Sequence, residues 1–471
     1  MKTFNRIYIN GRFVTPHGTE TLTLVDPTTE EAASIVTLAD VEDTRAAIAA
    51  AKTAYAEYRN STLAERGAYL QRLHDALTAR MDEHVEAIVA EYGGTRAFAR
   101  ASAQRAADNF LRTKNTMEEF AFTRRIGRAT VHMDSLGVVG IITPWNSSSW
   151  FVASKLATAL AVGSTTVIKP SELSGWQTQI LVECLHAADL PPGLFNVVTG
   201  RGDVVGAEIT RHPDIAKISF TGSGAVGKTI ARDAAATLKR LTLELGGKSA
   251  NVLLDDANFE QAIPLALKIA YMNNGQACLA GTRLLVPAER LDEAKRLLTR
   301  EVSEWKVGGP GIEDTQIGPM VTKQQYHRVE GYIRAGIEEG AELLAGGEGR
   351  PADLARGYFV KPTIFVGVKP EMRIAREEIF GPVLSVLTYE TEDEAVRMAN
   401  DTRYGLHAYV SSSDPTRARR MADRIVAGRV FINGVYDEPD APFGGFKESG
   451  LGREFGAFGM EAYVEPRTVV G

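Results

Sequence analysis

The chain has 471 residues, of which 44% are hydrophobic and 24% are charged, as in ordinary globular proteins. This length predicts two domains, with room for a small third element. The net charge of −6 offers no basic excess to neutralise phosphates, which argues against a dedicated nucleic-acid binder.

The two cysteines, Cys184 and Cys278, are too few for a secreted disulfide scaffold, so we expect a reducing cytoplasm. The N-terminal segment lacks the apolar centre of a signal peptide. No window approaches the roughly 18 uninterrupted apolar residues of a membrane span, so no membrane partner is expected. The longest apolar run lies around 156–163, and Lys155 and Thr158 interrupt it.

The first part of the chain predicts a hairpin followed by helices. Asn10 and Gly11 separate two alternating segments, IYI and RFV, which suits a tight two-residue turn. Residues 41–92 have helical periodicity, which Gly93 and Gly94 end. A further helix is predicted to about Glu119.

The middle of the chain predicts buried parallel strands alternating with helices. The apolar runs are continuous rather than alternating, as expected for strands covered on both faces. They lie at 137–144, 164–170, 194–200, 215–222 and 249–256. This βαβ rhythm predicts an α/β fold with a doubly wound sheet.

A second α/β region is predicted from about 247 to about 443. Its strands include 283–287, 383–389 and 428–434. The segment 340–357 is rich in glycine and charge, which predicts surface loops.

Residues 222–229, GSGAVGKT, match two phosphate-binding templates. As a nucleotide-hydrolase loop, they would use Lys228 and Thr229, with VLLDD at 252–256 supplying a Mg²⁺ ligand. As a dinucleotide loop, they would be followed about 20 residues later by a ribose-binding acid, for which Glu244 could be mistaken. The surroundings of Glu244, LELGGKS, suggest a different role.

Six motifs decide between these alternatives. They are TPWN (143–146), KPSE (169–172), LELGGKS (243–249), NNGQACLAGTR (273–283), EEIFGPV (377–383) and PFGGFKESGLGRE (442–454). In this order and spacing they resemble the NAD(P)-dependent aldehyde dehydrogenase superfamily, over nearly the whole chain. The resemblance implies an aldehyde dehydrogenase-like α/β fold with three parts. These are a Rossmann-type NAD-binding domain (1–116 and 137–246), an α/β catalytic domain (247–445) and a small β oligomerisation element (117–136 and 446–471).

The resemblance also implies three catalytic residues. Cys278 would attack the aldehyde carbonyl as a thiolate, which gives a tetrahedral carbon able to release hydride. The Asn146 side-chain amide and the Cys278 backbone N–H would stabilise the oxyanion. Glu244 would be the general base that activates water to hydrolyse the thioester. Cys184, on the apolar face of a predicted helix, is expected to be an ordinary buried cysteine.

A set of cofactor-binding residues follows from the same resemblance: Trp145, Lys169, Glu172, Gly202, Gly222, Ser223, Glu378 and Phe380. Lys169 and Glu172 would hold the adenosine ribose, and Glu378 the nicotinamide ribose. The Glu172 carboxylate would repel the 2′-phosphate of NADP, so NAD is favoured, with NADP as an alternative. No cluster of histidine and cysteine predicts a metal site.

The small β element predicts a homodimer or homotetramer, because its strands would pair with another subunit. The small-molecule aldehyde would lie between 147–151, Ala277, Leu279 and 435–443. An acidic rim at Asp437, Glu438 and Asp440 suggests that negatively charged semialdehydes are disfavoured. Two alternatives remain: a coenzyme-A-acylating dehydrogenase, whose branches generally lack the Glu244 equivalent, and a non-catalytic member of the same fold.

Overall fold

The computed structural model describes residues 1–471. The strands are β1 (Lys2–Phe4), β2 (Ile7–Ile9), β3 (Arg12–Val14), β4 (Thr21–Val25), β5 (Ala32–Thr37), β6 (Thr123–Ile126), β7 (Ala129–Ser135), β8 (Val138–Ile142), β9 (Thr165–Lys169), β10 (Phe195–Val197), β11 (Ile215–Thr221), β12 (Arg240–Glu244), β13 (Ala250–Leu253), β14 (Arg283–Pro287), β15 (Glu342–Ala345), β16 (Thr363–Val366), β17 (Val383–Tyr389), β18 (His407–Ser411), β19 (Arg429–Ile432), β20 (Gly450–Leu451) and β21 (Val464–Val470).

The α-helices are α1 (Val41–Tyr58), α2 (Leu63–Ala79), α3 (Met81–Ala87), α4 (Arg96–Glu119), α5 (Ser148–Ala161), α6 (Gly175–Ala187), α7 (Ala207–Arg211), α8 (Gly224–Ala234), α9 (Phe259–Tyr271), α10 (Leu291–Ser303), α11 (Lys323–Glu338), α12 (Arg373–Arg376), α13 (Glu392–Asn400), α14 (Pro415–Ala422) and α15 (Gly456–Glu461). Two π-helical turns, Ile88–Tyr92 and Gly202–Gly206, interrupt this pattern.

The first large sheet has eight strands in the order β20-β12-β11-β8-β9-β10-β2-β3. The five central strands from β12 to β10 are mutually parallel, and β8 and β9 are buried at every position. Their continuous apolar runs therefore do mark strands covered on both faces, as the sequence predicted. The hairpin β2–β3 joins one edge, and its turn has Asn10 and Gly11 at φ 52° and 79°. These angles confirm the predicted two-residue turn.

The second large sheet has seven strands in the order β15-β16-β17-β14-β13-β18-β19, all parallel except for β15. The predicted strand at 249–256 is β13 and belongs to this sheet, not to the first. The prediction of surface loops throughout 340–357 was wrong at β15, a short edge strand that pairs antiparallel with β16.

The helical region after residue 41 is divided into separate helices. Thr62 begins α2 with a reciprocal cap in which its hydroxyl accepts from the Glu65 backbone and the Glu65 carboxylate accepts from the Thr62 backbone. Because this cap begins a new helix at Leu63, the helical pattern over 41–92 is interrupted there, which periodicity alone does not show. At the other end of the chain, α15 precedes β21.

The small sheet has the order β21-β7-β6 and is formed by segments far apart in the chain. β21 pairs with β7 over its whole length, from Val464 opposite Ser135 to Val470 opposite Ala129. β20 instead pairs with β12 in the eight-stranded sheet, and α4 continues to Glu119, past the predicted boundary at 117. The limits of the three predicted parts stay a prediction. No helix combines the length and the apolar character needed to cross a membrane.

Candidate active site

Four predicted site residues follow neighbouring parallel strands of the first sheet. Asn146 follows β8, Lys169 ends β9, Ser223 follows β11 and Glu244 ends β12. These strands lie side by side in the order β12-β11-β8-β9. Their carboxyl ends therefore form one edge, which is where α/β sheets bind ligands.

The second sheet faces this edge with residues that precede its strands. Cys278 lies before β14, and Glu378 and Phe380 lie before β17. The Gly247 backbone N–H donates to Glu378 Oε1 at 3.2 Å. A Cβ atom on Gly246 would lie 2.3 Å from Glu378 Oε2, so only glycine lets the chain leaving β12 pass this carboxylate.

The turn that carries Cys278 is tied to Asn146. Asn146 Nδ2 donates to the Gln276 carbonyl oxygen at 3.0 Å. Asn273 Nδ2 donates to the Asn146 carbonyl at 2.9 Å and to the Gln276 carbonyl at 3.1 Å. Asn146 is only 7% exposed. The predicted oxyanion donor and the cysteine turn are thus joined by three hydrogen bonds.

The Cys278 thiol lies in a strongly desolvated and negative environment. Burial, together with the charges of Glu378 and Glu244, raises its pKa to about 12. A thiolate is therefore disfavoured unless a base takes the proton or a positive charge lies beside the sulfur. A Cβ atom on Gly247 would lie 2.5 Å from the Cys278 carbonyl oxygen, so the chain that follows Glu244 passes directly against the cysteine turn.

Glu244 is 2% exposed, and neither of its carboxylate oxygens accepts a hydrogen bond. Burial raises the pKa of this carboxyl well above its ordinary value, and the charge of Glu454 adds to the rise, whereas Lys155 opposes it. A carboxyl that accepts no hydrogen bond and has a raised pKa is well suited to act as a general base.

Sequence reasoning assigned no role to the ion pair behind Glu244. The Lys155 ammonium donates to the Glu454 carboxylate, and both side chains are almost fully buried. Lys155 also donates to Ser219 Oγ at 3.2 Å. In the sequence, the only indication of this ion pair was that Lys155 interrupts the longest apolar run.

The predicted ribose-binding pair is formed, with Lys169 Nζ 2.7 Å from Glu172 Oε2. Ser223 caps α8 by accepting from the Val226 N–H at 3.4 Å. A Cβ atom on Gly202 or on Gly224 would meet no atom within 4 Å, so the backbone is open to the crevice at both places. Open backbone at a helix N-terminus, together with the carboxylate of Glu172 that is predicted to bind ribose, fits a dinucleotide.

Trp145 and Phe380 flank the crevice near the cysteine turn. Their ring centroids lie 5.5 Å apart, edge to face. Gly222 lies at the edge as well, since its N–H donates to the Glu244 carbonyl at 3.0 Å. The predicted residues of the first sheet therefore lie at or after the carboxyl ends of its strands. Asn146, Trp145 and the chain after Glu244 contact the loops that carry Cys278, Phe380 and Glu378, so the crevice between the two sheets is the candidate site.

The hydrolase interpretation of GSGAVGKT was wrong. Lys228 Nζ lies 2.9 Å from a carboxylate oxygen of Glu448, and Thr229 Oγ1 donates to the carbonyl one turn earlier in α8. The strand of the VLLDD motif, β13, belongs to the other sheet, and Asp255 is paired with Arg417. No Mg²⁺ ligand faces this loop from that motif, and no group of three or more metal-binding side chains occurs.

The predicted substrate-lining segments contribute aromatic rings. Trp150 and Phe443 lie 5.9 and 5.7 Å from Phe455, centroid to centroid. The acidic rim contains a cation that the sequence did not reveal, because Arg112 Nη2 lies 3.6 Å from Asp437 Oδ2.

The aldehyde dehydrogenase family model matches residues 13–469. A Staphylococcus saprophyticus relative, provisionally named an aldehyde dehydrogenase, is 42% identical over 472 residues, covering 100% of this chain and 99% of its own length. The chain belongs to the aldehyde dehydrogenase family. Aldehyde dehydrogenase C from Pseudomonas syringae, a mutant with NAD⁺ and octanal, superimposes with a TM-score of 0.98 at 41% identity, over 99% of this chain and 96% of that one. A Bacillus cereus aldehyde dehydrogenase with NAD⁺ gives 0.95 at 36% identity, over 98% and 96%.

These likenesses confirm the predicted family, the α/β fold class and the enzyme class. The roles of individual residues stay predictions.

Proposed function

We propose that this chain oxidises an aldehyde to the carboxylic acid, with NAD as the hydride acceptor and Cys278 as the nucleophile. The observation that carries the proposal is that Cys278, Asn146 and Glu244 lie at one crevice and that the Glu244 carboxylate accepts no hydrogen bond. The NAD⁺ and octanal of the Pseudomonas syringae relative support the cofactor and the substrate class.

In the first step the Cys278 thiol releases its proton to solvent, which the positive charge of a bound nicotinamide would favour, and the sulfur bonds to the carbonyl carbon. The carbonyl π electrons move onto oxygen, which becomes an oxyanion. The Asn146 amide has two N–H bonds and gives one to Gln276, so the second is free for this oxygen. The Cys278 backbone N–H is the other donor. Each such donor is worth about 10²–10³ in rate.

The cofactor would be held by the residues that open onto the crevice: Lys169, Glu172, Gly202, Gly222, Ser223, Glu378, Trp145 and Phe380. When bound, the oxidised nicotinamide supplies a positive charge and accepts the hydride, so that a thioester remains on Cys278. Glu172 disfavours the extra phosphate of NADP because like charges repel. We propose NAD as the preferred cofactor.

In the second step the Glu244 carboxylate takes a proton from water. The hydroxide oxygen bonds to the thioester carbon, the C–S bond breaks and the carboxylic acid leaves. The proton on Glu244 then passes to the departing sulfur, which regenerates the Cys278 thiol and the Glu244 carboxylate. Since Glu244 is the residue that activates water, its presence favours release of the free acid over transfer to coenzyme A.

The test is NADH formation with a panel of aldehydes that includes octanal, with and without coenzyme A. We expect turnover without coenzyme A, and none in the Cys278→Ala variant. A strict requirement for coenzyme A would instead identify an acylating dehydrogenase. Absence of turnover with every aldehyde would identify a non-catalytic member of the fold.

We also propose that the chain forms a homodimer or homotetramer through the small sheet. Most of β21 and all of β6 are exposed, and Val469 and Val470 present apolar side chains at the end of the chain. Exposed strand edges of this kind favour pairing with another subunit. Light scattering of the full chain distinguishes monomer, dimer and tetramer. A cytoplasmic location is proposed because Cys278 and Cys184 are both free thiols.

A further inference from the structure

Tyr92 contacts the cysteine turn from a distant part of the chain. It ends the π-helical turn Ile88–Tyr92 and is 2% exposed. Its hydroxyl donates to Asn273 Oδ1 at 2.8 Å and accepts from Gln276 Nε2 at 3.0 Å. The hydroxyl therefore uses its donor and an acceptor on two side chains of the same turn.

Asn273 and Gln276 connect Tyr92 to both proposed donors of the oxyanion hole, the Asn146 side-chain amide and the Cys278 backbone N–H. Through its amide nitrogen, Asn273 holds the carbonyl of Asn146. Gln276 accepts the Asn146 side-chain amide on its own carbonyl, and it lies two residues before Cys278. Its side-chain oxygen accepts from the Val321 N–H at 3.0 Å. Tyr92 thus links the side chain that supplies one oxyanion donor to the turn that supplies the other.

The turn requires such external support. Asn273 and Asn274 have φ values of 52° and 59°, and Gly275 follows at 73°. A left-handed conformation in a residue other than glycine is strained and persists where surrounding contacts hold it. The Tyr92 ring also packs against Trp145, 6.0 Å away, so it supports the residue before Asn146.

Burial raises the pKa of Tyr92, so its hydroxyl keeps the proton that it gives to Asn273. No other contact supplies a hydrogen bond to Asn273 Oδ1 or takes one from Gln276 Nε2. Removing the hydroxyl would leave the fully buried Gln276 amide and the half-buried Asn273 oxygen without these partners, which favours rearrangement of the turn.

We propose that Tyr92 is a positioning residue of the oxyanion hole, fixing the Asn146 amide relative to the Cys278 backbone N–H through Asn273 and Gln276. This inference rests on the proposed function. Tyr92 does not touch the reacting atoms, so its effect is expected on the chemical steps rather than on aldehyde affinity.

The test compares Tyr92→Phe with the wild-type enzyme. A displaced donor costs up to about 10²-fold, so we expect kcat and the rate of the first NADH burst to fall about 10- to 100-fold. The KM for aldehyde should change less than about 2-fold, since ground-state binding is retained. Alkylation of Cys278 by iodoacetamide should proceed at the wild-type rate, because that displacement develops no oxyanion.

Tyr58→Phe is the matched control. The Tyr58 hydroxyl is also buried and donates to the Leu160 carbonyl at 2.9 Å, away from the turn. We expect wild-type kinetics from this variant. Thermal unfolding of both variants shows whether each is folded.

A double-mutant cycle tests the route through Asn273. Asn273→Gly keeps the left-handed backbone and removes the side chain. If Tyr92 acts through Asn273, the combined loss in Tyr92→Phe/Asn273→Gly is smaller than the product of the two single losses.

Three outcomes would overturn the inference: a kcat for Tyr92→Phe within about 2-fold of wild type, an alkylation rate that falls as far as kcat, or fully multiplicative losses in the double variant. If the wild-type chain oxidises no aldehyde, the proposed function and this inference fail together. If the wild-type chain is active and Tyr92→Phe matches it, only this inference fails.

Discussion

Replacing Glu244 by glutamine separates the two halves of the reaction. Neither carboxylate oxygen accepts a hydrogen bond, so the amide removes no contact from the fold. What it removes is the base that takes a proton from water. A positioned general base contributes about 10²–10⁴ in rate. We therefore expect steady-state kcat to fall by about 10²–10⁴, because the thioester on Cys278 is no longer hydrolysed.

The assay is rapid mixing of aldehyde and NAD with enzyme while NADH absorbance is followed. We expect a burst approaching one NADH per active site, with little steady turnover afterwards. Mass spectrometry should find the acyl group on the Cys278 peptide. A burst that disappears together with steady turnover would show that Glu244 is indispensable for forming the thiolate. Steady turnover at the wild-type rate would refute the general-base role.

The same substitution has a consequence for stability, whose sign follows from the raised pKa. A carboxyl whose pKa is higher in the folded state destabilises that state when it ionises. The wild-type chain thus loses stability as pH rises above the unfolded value, until the folded pKa is passed. Glu244→Gln should therefore gain stability relative to wild type on going from pH 4 to pH 8. A constant difference across this range would contradict the burial of an ionisable carboxyl.

The remaining predictions concern other parts of the crevice and its support. Asn146→Ala should lower kcat about 10²–10³-fold while NAD binding, measured by calorimetry, stays at the wild-type level, and weakened NAD binding would show a different role. Glu172→Ala should lower the NAD to NADP ratio of kcat/KM by about 10-fold or more, and an unchanged ratio would remove Glu172 as the selecting residue. Neutral aldehydes should be preferred over succinate semialdehyde, and a clear preference for the latter would show that Arg112 outweighs the acidic rim. Burial raises the pKa of Glu91 to about 7 from 4.5. The unfolding free energy of Glu91→Gln relative to wild type should therefore rise by about 3 kcal/mol between pH 4 and pH 8. A difference independent of pH would show that ionising the Glu91 carboxyl does not destabilise the fold.

The parts of the site that the sequence predicted are those that short motifs encode. Asn146 and Lys169 lie at or just beyond the ends of β8 and β9, which continuous apolar runs predicted. The strand that Glu244 ends, β12, was not predicted, because its residues RLTLE form no continuous apolar run. Adjacent parallel strands place their carboxyl ends at one edge, so local signals were enough to bring Asn146 and Lys169 together. The sheet to which 249–256 belongs could not be predicted in this way, because buried strands of both sheets have the same kind of continuous apolar run.

The contacts that the sequence did not predict join residues far apart in the chain. Tyr92 and Asn273 are separated by 181 positions, and nothing in the helical pattern around Tyr92 points to a partner. Periodicity only placed Tyr92 at the end of the helical pattern over 41–92.

Lys155 shows how one such contact could have been anticipated. A buried ammonium is costly unless a carboxylate accompanies it, so a lysine inside an apolar helix predicts a buried acid elsewhere. The acid is Glu454, 299 positions later, at the end of the motif PFGGFKESGLGRE. That pairing carries the charge of Glu454 to the neighbourhood of Glu244 and helps to raise the pKa of the proposed base. The cost of burying the Lys155 ammonium could thus have predicted a carboxylate near α5, although only the fold identifies it as Glu454.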